Sequence, residues 1–486
     1  MSIKDISDIH QAAGPEALKR MLESAEPAMD VAVEAEAKAA PTPAALPEIY
    51  YSLSSKEYFL QADNGAWIPV NENSVKRHLK ALGFKHGKNP GGSLTPMEKC
   101  LNEIQKKQSV AYAAPLAGYD AGFYRINGNN ILVTHSPKPI EPEPGKFPIL
   151  EELLKRMFVT DVTDQRPYIY GWLKTQIQAL REKRWAPGQA LAMCGPVNCG
   201  KSLFQRLITE MLGGRSGKPY QFMTDRTNFN EDLFEAEHLM IEDDAESTQY
   251  AQRKAFGSHI KAFAVNRDHR CHGKHKKGLM LTPRWRVTIS VNDEPQRLLV
   301  LPPIDQDTED KIVLLKVNPT TMPMPLETNE QRDLFWSTLI GELPAFIDFL
   351  LKWEIPEDLR SPRFGIIHFH HPQILSAVDE MSHELRLLDL IDQRLSFQNG
   401  ESWTGTAQEL QSKLTGEESK VQYDARQLFN FPNACGMFLA SLSKKKPHRV
   451  QKALRRTDKR EWTINPIQGK LYNGMVISKS SNPEQN

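Results

Sequence analysis

Gly195-Pro196-Val197-Asn198-Cys199-Gly200-Lys201-Ser202 fits the pattern G-x-x-x-x-G-K-[ST] at every fixed position. Its flanks supply the context that the pattern needs. Leu191-Ala192-Met193 before it reads as a buried strand, and Leu203–Leu212 after it reads as a helix stopped by Gly213-Gly214. At such a strand–loop–helix turn, glycines let backbone N–H groups wrap a phosphate, and the helix N-terminus adds the positive end of its dipole. Gly195 and Gly200 are therefore expected to shape a nucleotide site. Lys201 is expected to reach the β- and γ-phosphates, and Ser202 to ligate Mg²⁺.

Hydrolysis also needs carboxylates that hold the metal and polarise water. About forty residues beyond Lys201, the run Leu239-Met240-Ile241-Glu242-Asp243-Asp244 ends an apolar strand in three acids. Asp243 is assigned to the magnesium shell, and either Glu242 or Asp244 to the base. Farther on, Trp285-Arg286-Val287-Thr288-Ile289-Ser290-Val291-Asn292 reads as a strand ending in an amide. Such a strand is expected to place Asn292 between the carboxylates, near the γ-phosphate and the attacking water. An asparagine after a strand is by itself only a turn signal. As the third member of an ordered series it carries meaning.

In order and spacing the series resembles the superfamily III helicases, especially the primase-helicase type of phages and plasmids. The match covers roughly residues 150 to 350. The family's loop form, Gly-Pro-x-Asn-x-Gly-Lys-Ser, adds Pro196 and Asn198 to the nucleotide-binding set. The resemblance implies an α/β fold with a P-loop, AAA+-like ATPase core that uses ATP and Mg²⁺. It also implies a homo-oligomer, a hexameric ring, moving 3′ to 5′ on single-stranded or forked DNA. A neighbouring subunit would complete each ATP site with an arginine that follows the Asn strand. The corresponding segment here offers Lys311, with Arg297 and Arg332 as alternatives, and a lysine lacks the guanidinium fork. Residues 1–140 show no Asp-x-Asp-like metal pair, so the chain reads as a helicase without a primase. That leaves room for a separate primase or polymerase as partner.

Sequence-independent grip on a strand needs local positive charge, because the 61 basic and 60 acidic side chains nearly cancel overall. Arg267 to Arg286 holds seven Lys or Arg against the single acid Asp268. In the resembled family this region forms a hairpin reaching into the ring channel. Lys261, Arg270, Lys274, Lys276 and Lys277 are the expected contacts; the plain alternative is a solvated charged loop. Lys444, Lys445, Lys446, Arg455 and Arg456 belong to a second basic stretch, which reads as a duplex grip or as a solubilising tail. His269, Cys271, His272 and His275 fit no closed zinc spacing.

Around this core, residues 1–46 read as a flexible N-terminal segment and 47–140 as a small α+β domain. Residues 150–355 read as the ATPase core, 373–468 as a helical, winged-helix-like C-terminal domain, and 469–486 as a tail. In the small domain, a hairpin is expected at Tyr58–Ile68, and a second around Asn127-Gly128. Asn73 or Ser74 is expected to cap a helix burying Val75, Leu79 and Leu82. Pro344 is expected to kink a helix or start another. Five scattered cysteines, a start without a signal pattern and no apolar run of about 20 residues point to a cytoplasmic protein, away from membranes, and the resemblance to phage and plasmid helicases implies a bacterial host cell. Two other functions stay open: an RNA-directed helicase, and a nucleotide-switched scaffold or defence ATPase that assembles without unwinding.

Overall fold

The computed structural model describes residues 47–84, 94–242, 250–298, 300–302, 304–380, 383–395, 401–429, 431–453, 460–466, 471–472 and 475–476. Its centre is a sheet of five parallel strands: β8 (Ala190–Cys194), β9 (Ser216–Gly217), β10 (His238–Ile241), β13 (Arg286–Val291) and β14 (Ile312–Lys316), in the order β14-β8-β13-β10-β9. Strand β13, late in sequence, therefore lies between β8 and β10. Its register sets Thr288 beside Leu191 and Met240, and Val291 beside Cys194.

Alternation along the strands divides the sheet into two faces. On one, Leu191, Met193, Val313 and Leu315 pack beneath α3 (Pro148–Phe158), α4 (Arg166–Arg181), α5 (Lys201–Met211) and α9 (Asn329–Lys352). On the other, Ala192, Leu239, Ile289 and Leu314 meet α7 (Tyr250–Val265) through Phe256, Ile260 and Phe263. Helix α9 has 24 residues and is apolar enough to cross a membrane, yet Phe335, Leu339, Leu343, Phe346 and Leu350 are spent in this core. It runs as one helix through Pro344 and does not start a second there.

The N-terminal region holds two small sheets. The strands β1 (Tyr50–Ser52), β2 (Tyr58–Gln61), β3 (Trp67–Val70) and β4 (Ser109–Val110) make a sheet in the order β3-β2-β1-β4, with helices α1 (Glu72–Ala81) and α2 (Pro96–Lys107). Residues 112–133 form a second sheet, β5 (Tyr112–Ala114), β7 (Asn129–Val133) and β6 (Gly122–Ile126). Tyr112, Leu116, Ile131 and Val133 of that piece share a core with the central sheet. Leu132 of the same piece packs with Phe59, Trp67 and Val110 of the first sheet, so this second sheet contributes to both cores. The Asn127-Gly128 turn joins β6 to β7 with both residues at positive φ, +49° and +77°, the conformation a two-residue hairpin requires. Helix α1 is capped at Asn71, two residues before Asn73 and three before Ser74. Asn71 Oδ1 accepts the Ser74 N–H at 2.9 Å, because β3 (Trp67–Val70) hands directly into the helix. Leu82 then falls past the helix end and is 52% exposed.

The C-terminal region contains α10 (Pro372–Glu380), α11 (His383–Arg394), β17 (Trp403–Thr406), α12 (Ala407–Thr415), α13 (Gln422–Leu428), α14 (Ala434–Lys445), β18 (Val450–Lys452) and β19 (Glu461–Ile464). Its antiparallel sheet runs β17-β19-β18, and Phe438, Leu439, Leu442 and Trp462 centre its own core.

Candidate nucleotide site and nucleic-acid interface

The loop between β8 and α5 is shaped by three backbone constraints. Asn198 sits at φ +62° and Gly200 at φ +94°, left-handed conformations that Asn tolerates and Gly adopts freely. Gly195 passes so close to the chain beyond β14 that a Cβ there would lie 2.4 Å from the Val317 carbonyl oxygen. Lys201, the first residue of α5, is 7% exposed. Its Nζ donates to the carbonyls of Gly195 (2.8 Å) and Pro196 (2.7 Å) and to Asn292 Oδ1 (3.0 Å). Ser202 follows in the first helical turn with an exposed side chain.

Because β13 runs between β8 and β10, its end carries Asn292 into the gap between the glycine loop and Glu242. Glu242 leaves the end of β10 and pairs with Lys218 at 2.9 Å. Lys218 escaped the sequence reading; its only signal was a lysine one residue after the short strand β9. Asp243 and Asp244 lie outside the described residues. Cys194 and Cys199 flank the loop as buried thiols, and burial pushes both up. That keeps them protonated and unreactive.

Of the residues expected to serve a neighbouring subunit, Lys311 is turned inward. It is 6% exposed and held by Asp310, which also receives Arg363 at 3.3 Å. Arg332 ties back to the Leu326 and Glu327 carbonyls. Arg297 keeps a 43% exposed side chain, 4.0 Å from Glu294.

The basic segment forms a hairpin of β11 (His269–Cys271) and β12 (Leu279–Leu281), with His275 at φ +61° in its turn. Its base is clamped. Asn127 donates to Asp268 and to the Met280 carbonyl at 3.2 Å each, and Asn230 donates to the Arg270 carbonyl at 3.0 Å. Arg270, Lys274 and Lys277 are exposed, whereas Lys276 pairs with Glu231 at 2.7 Å. Phe229, not singled out by sequence, is 44% exposed beside the hairpin with its ring 5.3 Å from that of His272. Its signal in the sequence was a lone aromatic in the polar run from Asp225 to Asp232.

Arg284 and Arg286 are different from the other basic residues of the segment. The Arg284 guanidinium lies 4.0 Å from the Tyr119 ring centre and donates to the Gly118 carbonyl at 2.6 Å. Arg286 is buried and donates to the carbonyls of Ala186, Trp285 and Pro187. Lys261 sits outside the hairpin, 3.6 Å from Asp307. In the C-terminal region Lys444 and Lys446 are exposed at the end of α14, with Lys445 half-buried. Arg455 and Arg456 lie outside the described residues. Among the described residues no group of three or more His, Cys, Asp or Glu is placed to hold a metal.

The fold and site define a mixed α/β protein with a parallel sheet and a glycine loop at the start of a helix. No family model matches the sequence, and no curated protein resembles it closely enough to match. Solved structures resemble the chain distantly. The apo A form of the NrS-1 C-terminal region is 12% identical, with 86% of this chain and 96% of that one covered and a TM-score of 0.48. A JCV helicase is 14% identical over 49% of this chain and 59% of that one, TM-score 0.25. The active helicase Cch of SCCmec type IV is 11% identical over 85% and 76%, TM-score 0.25. Likenesses this distant leave the function to be read from the site's own geometry.

Proposed function

We propose that this chain is an ATP-driven helicase of the superfamily III kind, a ring that translocates 3′ to 5′ on single-stranded DNA. Its setting would be replication of a phage, plasmid or mobile element in the cytoplasm of a bacterial host. The observation that carries the reading is the insertion of β13 between β8 and β10. It sets Asn292 Oδ1 3.0 Å from Lys201 Nζ and between that lysine and the strand of Glu242.

The loop fits a nucleotide. Gly195 and Gly200 stand where a side chain would clash or strain, and the three oxygens around Lys201 Nζ are neutral acceptors that a phosphate outcompetes by charge. Lys201 and the first turn of α5 would hold the phosphates; Ser202, with Asp243, would hold Mg²⁺. Bound Mg²⁺ supplies charge neutralisation on the phosphate oxygens. Glu242 or Asp244 would take the proton of the attacking water, and Asn292 would orient it. Lys218 holds Glu242 in its present position. Arg297, exposed after the Asn292 strand, is now the favoured residue for a neighbouring subunit's ATP site, in place of Lys311.

For DNA, exposed Arg270, Lys274 and Lys277 offer phosphate contacts, and Phe229 offers a face on which a base stacks. The helices α11 to α14 with the β17-β19-β18 sheet suit a winged helix. Lys444 and Lys446 there would touch duplex at the fork, where a separate primase or polymerase would join. Steady-state ATP hydrolysis with and without single-stranded DNA, with Lys201→Ala as control, tests the proposal. Strong stimulation that vanishes in the variant supports it, stimulation by RNA alone redirects it, and indifference to both overturns it.

A further inference from the structure

Beneath the proposed catalytic groups lies a buried polar patch that the reaction as described does not use. Under α5 the sheet is apolar on β8 and β14 but polar on the two strands that carry Asn292 and Glu242. There Thr288 and His238 are 0% exposed. Lys201, Gln205 and Thr209 follow one another at four-residue intervals and share the helix face toward these strands. Gln205 Nε2 donates to Thr288 Oγ1 at 2.8 Å and to the Ile241 carbonyl at 3.2 Å. The His238 ring lies between two hydroxyls, Thr288 on Nε2 at 2.8 Å and Thr209 on Nδ1 at 2.7 Å. Thr209 Oγ1 is also 3.2 Å from the Gln205 carbonyl oxygen.

One proton arrangement gives every hydroxyl of the patch an acceptor. The Ile241 carbonyl cannot donate, so the Gln205 amide must turn its NH₂ toward it; its Oε1 is left buried without a partner. Thr288 accepts from that NH₂ and gives its own proton to His238 Nε2. In this arrangement the ring carries its proton on Nδ1 and donates to Thr209, whose hydroxyl serves the Gln205 carbonyl. Burial holds His238 down at about 3, so the ring stays neutral.

We propose that Gln205, Thr209, His238 and Thr288 are positioning residues, a proton-ordered link that keeps the Lys201 helix in register with the strand ends bearing Asn292 and Glu242. The link acts close to both ends. Thr288 is four residues before Asn292 on the same strand face, and the Ile241 carbonyl immediately precedes Glu242. The inference rests on the ATPase reading.

Three variants test it: Thr288→Val removes the hydroxyl at constant shape, Thr288→Ser restores it, and Gln205→Met removes the amide donors. Thr288→Val and Gln205→Met are expected to lose about tenfold or more in kcat while KM stays within about threefold, and Thr288→Ser to recover most of that loss. A Thr288→Val enzyme with lowered thermal stability but the parent's kcat would reduce the link to packing and overturn the proposal. So would a kcat loss that serine fails to rescue. If Thr288→Val does not fold, Gln205→Met decides by the same kcat and KM comparison.

A parent protein that hydrolyses no ATP defeats the ATPase reading instead. The link is then judged by the affinity of a fluorescent ADP analogue with and without Mg²⁺. Loss of only the Mg²⁺-dependent gain in Thr288→Val or Gln205→Met supports it, and equal loss of both affinities, or of neither, overturns it.

Discussion

The phosphate end of the sheet and the basic hairpin place their cations in opposite ways. At the phosphate end the Lys201 ammonium is 7% exposed and rests on two carbonyls of its own loop and the Asn292 amide. At the hairpin, Lys274 and Lys277 stand in solvent, while Asn127 and Asn230 clamp the backbone beneath them. One region fixes the charge itself; the other fixes only the scaffold and leaves the charge in solvent. A site that must meet one phosphate in one geometry suits the first arrangement. A surface that must slip along a chain of identical phosphates suits the second.

The largest expected effect tests the fixed charge. Lys201→Ala should cut ATP hydrolysis by on the order of 100-fold or more. Lys274→Ala with Lys277→Ala should leave DNA-free hydrolysis within about twofold, being exposed and remote in role. Similar losses in the two proteins would break the comparison. Next comes Arg286→Met, which removes a buried cation from the carbonyls of Ala186, Trp285 and Pro187. Urea unfolding should show a loss of about 2–4 kcal/mol; a loss below about 0.5 kcal/mol would class Arg286 with the surface lysines.

Acid should act on the fixed region. The folded pKa of His238, about 3, lies below the unfolded value of 6.5, so the unfolded chain takes up protons first. Its contribution is complete above pH 6.5 and is lost as pH falls through that window, at about 1.4 kcal/mol per unit. His383, lowered to about 4 by burial, adds in the same direction. Unfolding midpoints in urea at pH 7.5 and 5.5 check this, and equal stabilities would contradict it. The smallest effect sharpens the solvent-exposed side. In the Lys274→Ala, Lys277→Ala double variant, the slope of log affinity for single-stranded DNA against log salt should shrink by about 1.4, roughly 0.7 for each lost phosphate contact. An unchanged slope would remove these lysines from the interface.

Legibility in the sequence follows the same division. The glycine loop was readable because its function constrains the backbone, and backbone constraints select residue types at fixed spacing. The central strands were readable as apolar runs ending in Glu242 and Asn292. Charge runs told less. Nothing in Arg267–Arg286 distinguished Arg284, set against Tyr119, from Lys274 at the hairpin turn, because the distinction lies in residues far away in sequence. Lys311 likewise reads as a surface cation until Asp310 and burial claim it. The allegiance of residues 112–133 to the central core was hidden because an alternating strand pattern shows that a face is buried, not against what.

The order β14-β8-β13-β10-β9 also bears on how the chain comes to be folded. Both neighbours of β8, β13 and β14, are synthesised about a hundred residues after it. Until residue 291 has emerged, β8 and β10 each present a row of unpaired N–H and C=O groups with no strand between them. Such long-range parallel pairing forms slowly and leaves aggregation-competent edges open meanwhile. A nascent or truncated chain ending before β13 is thus expected to be sticky and a client for chaperones, and the nucleotide pocket can exist only once the last-made strands have slotted in.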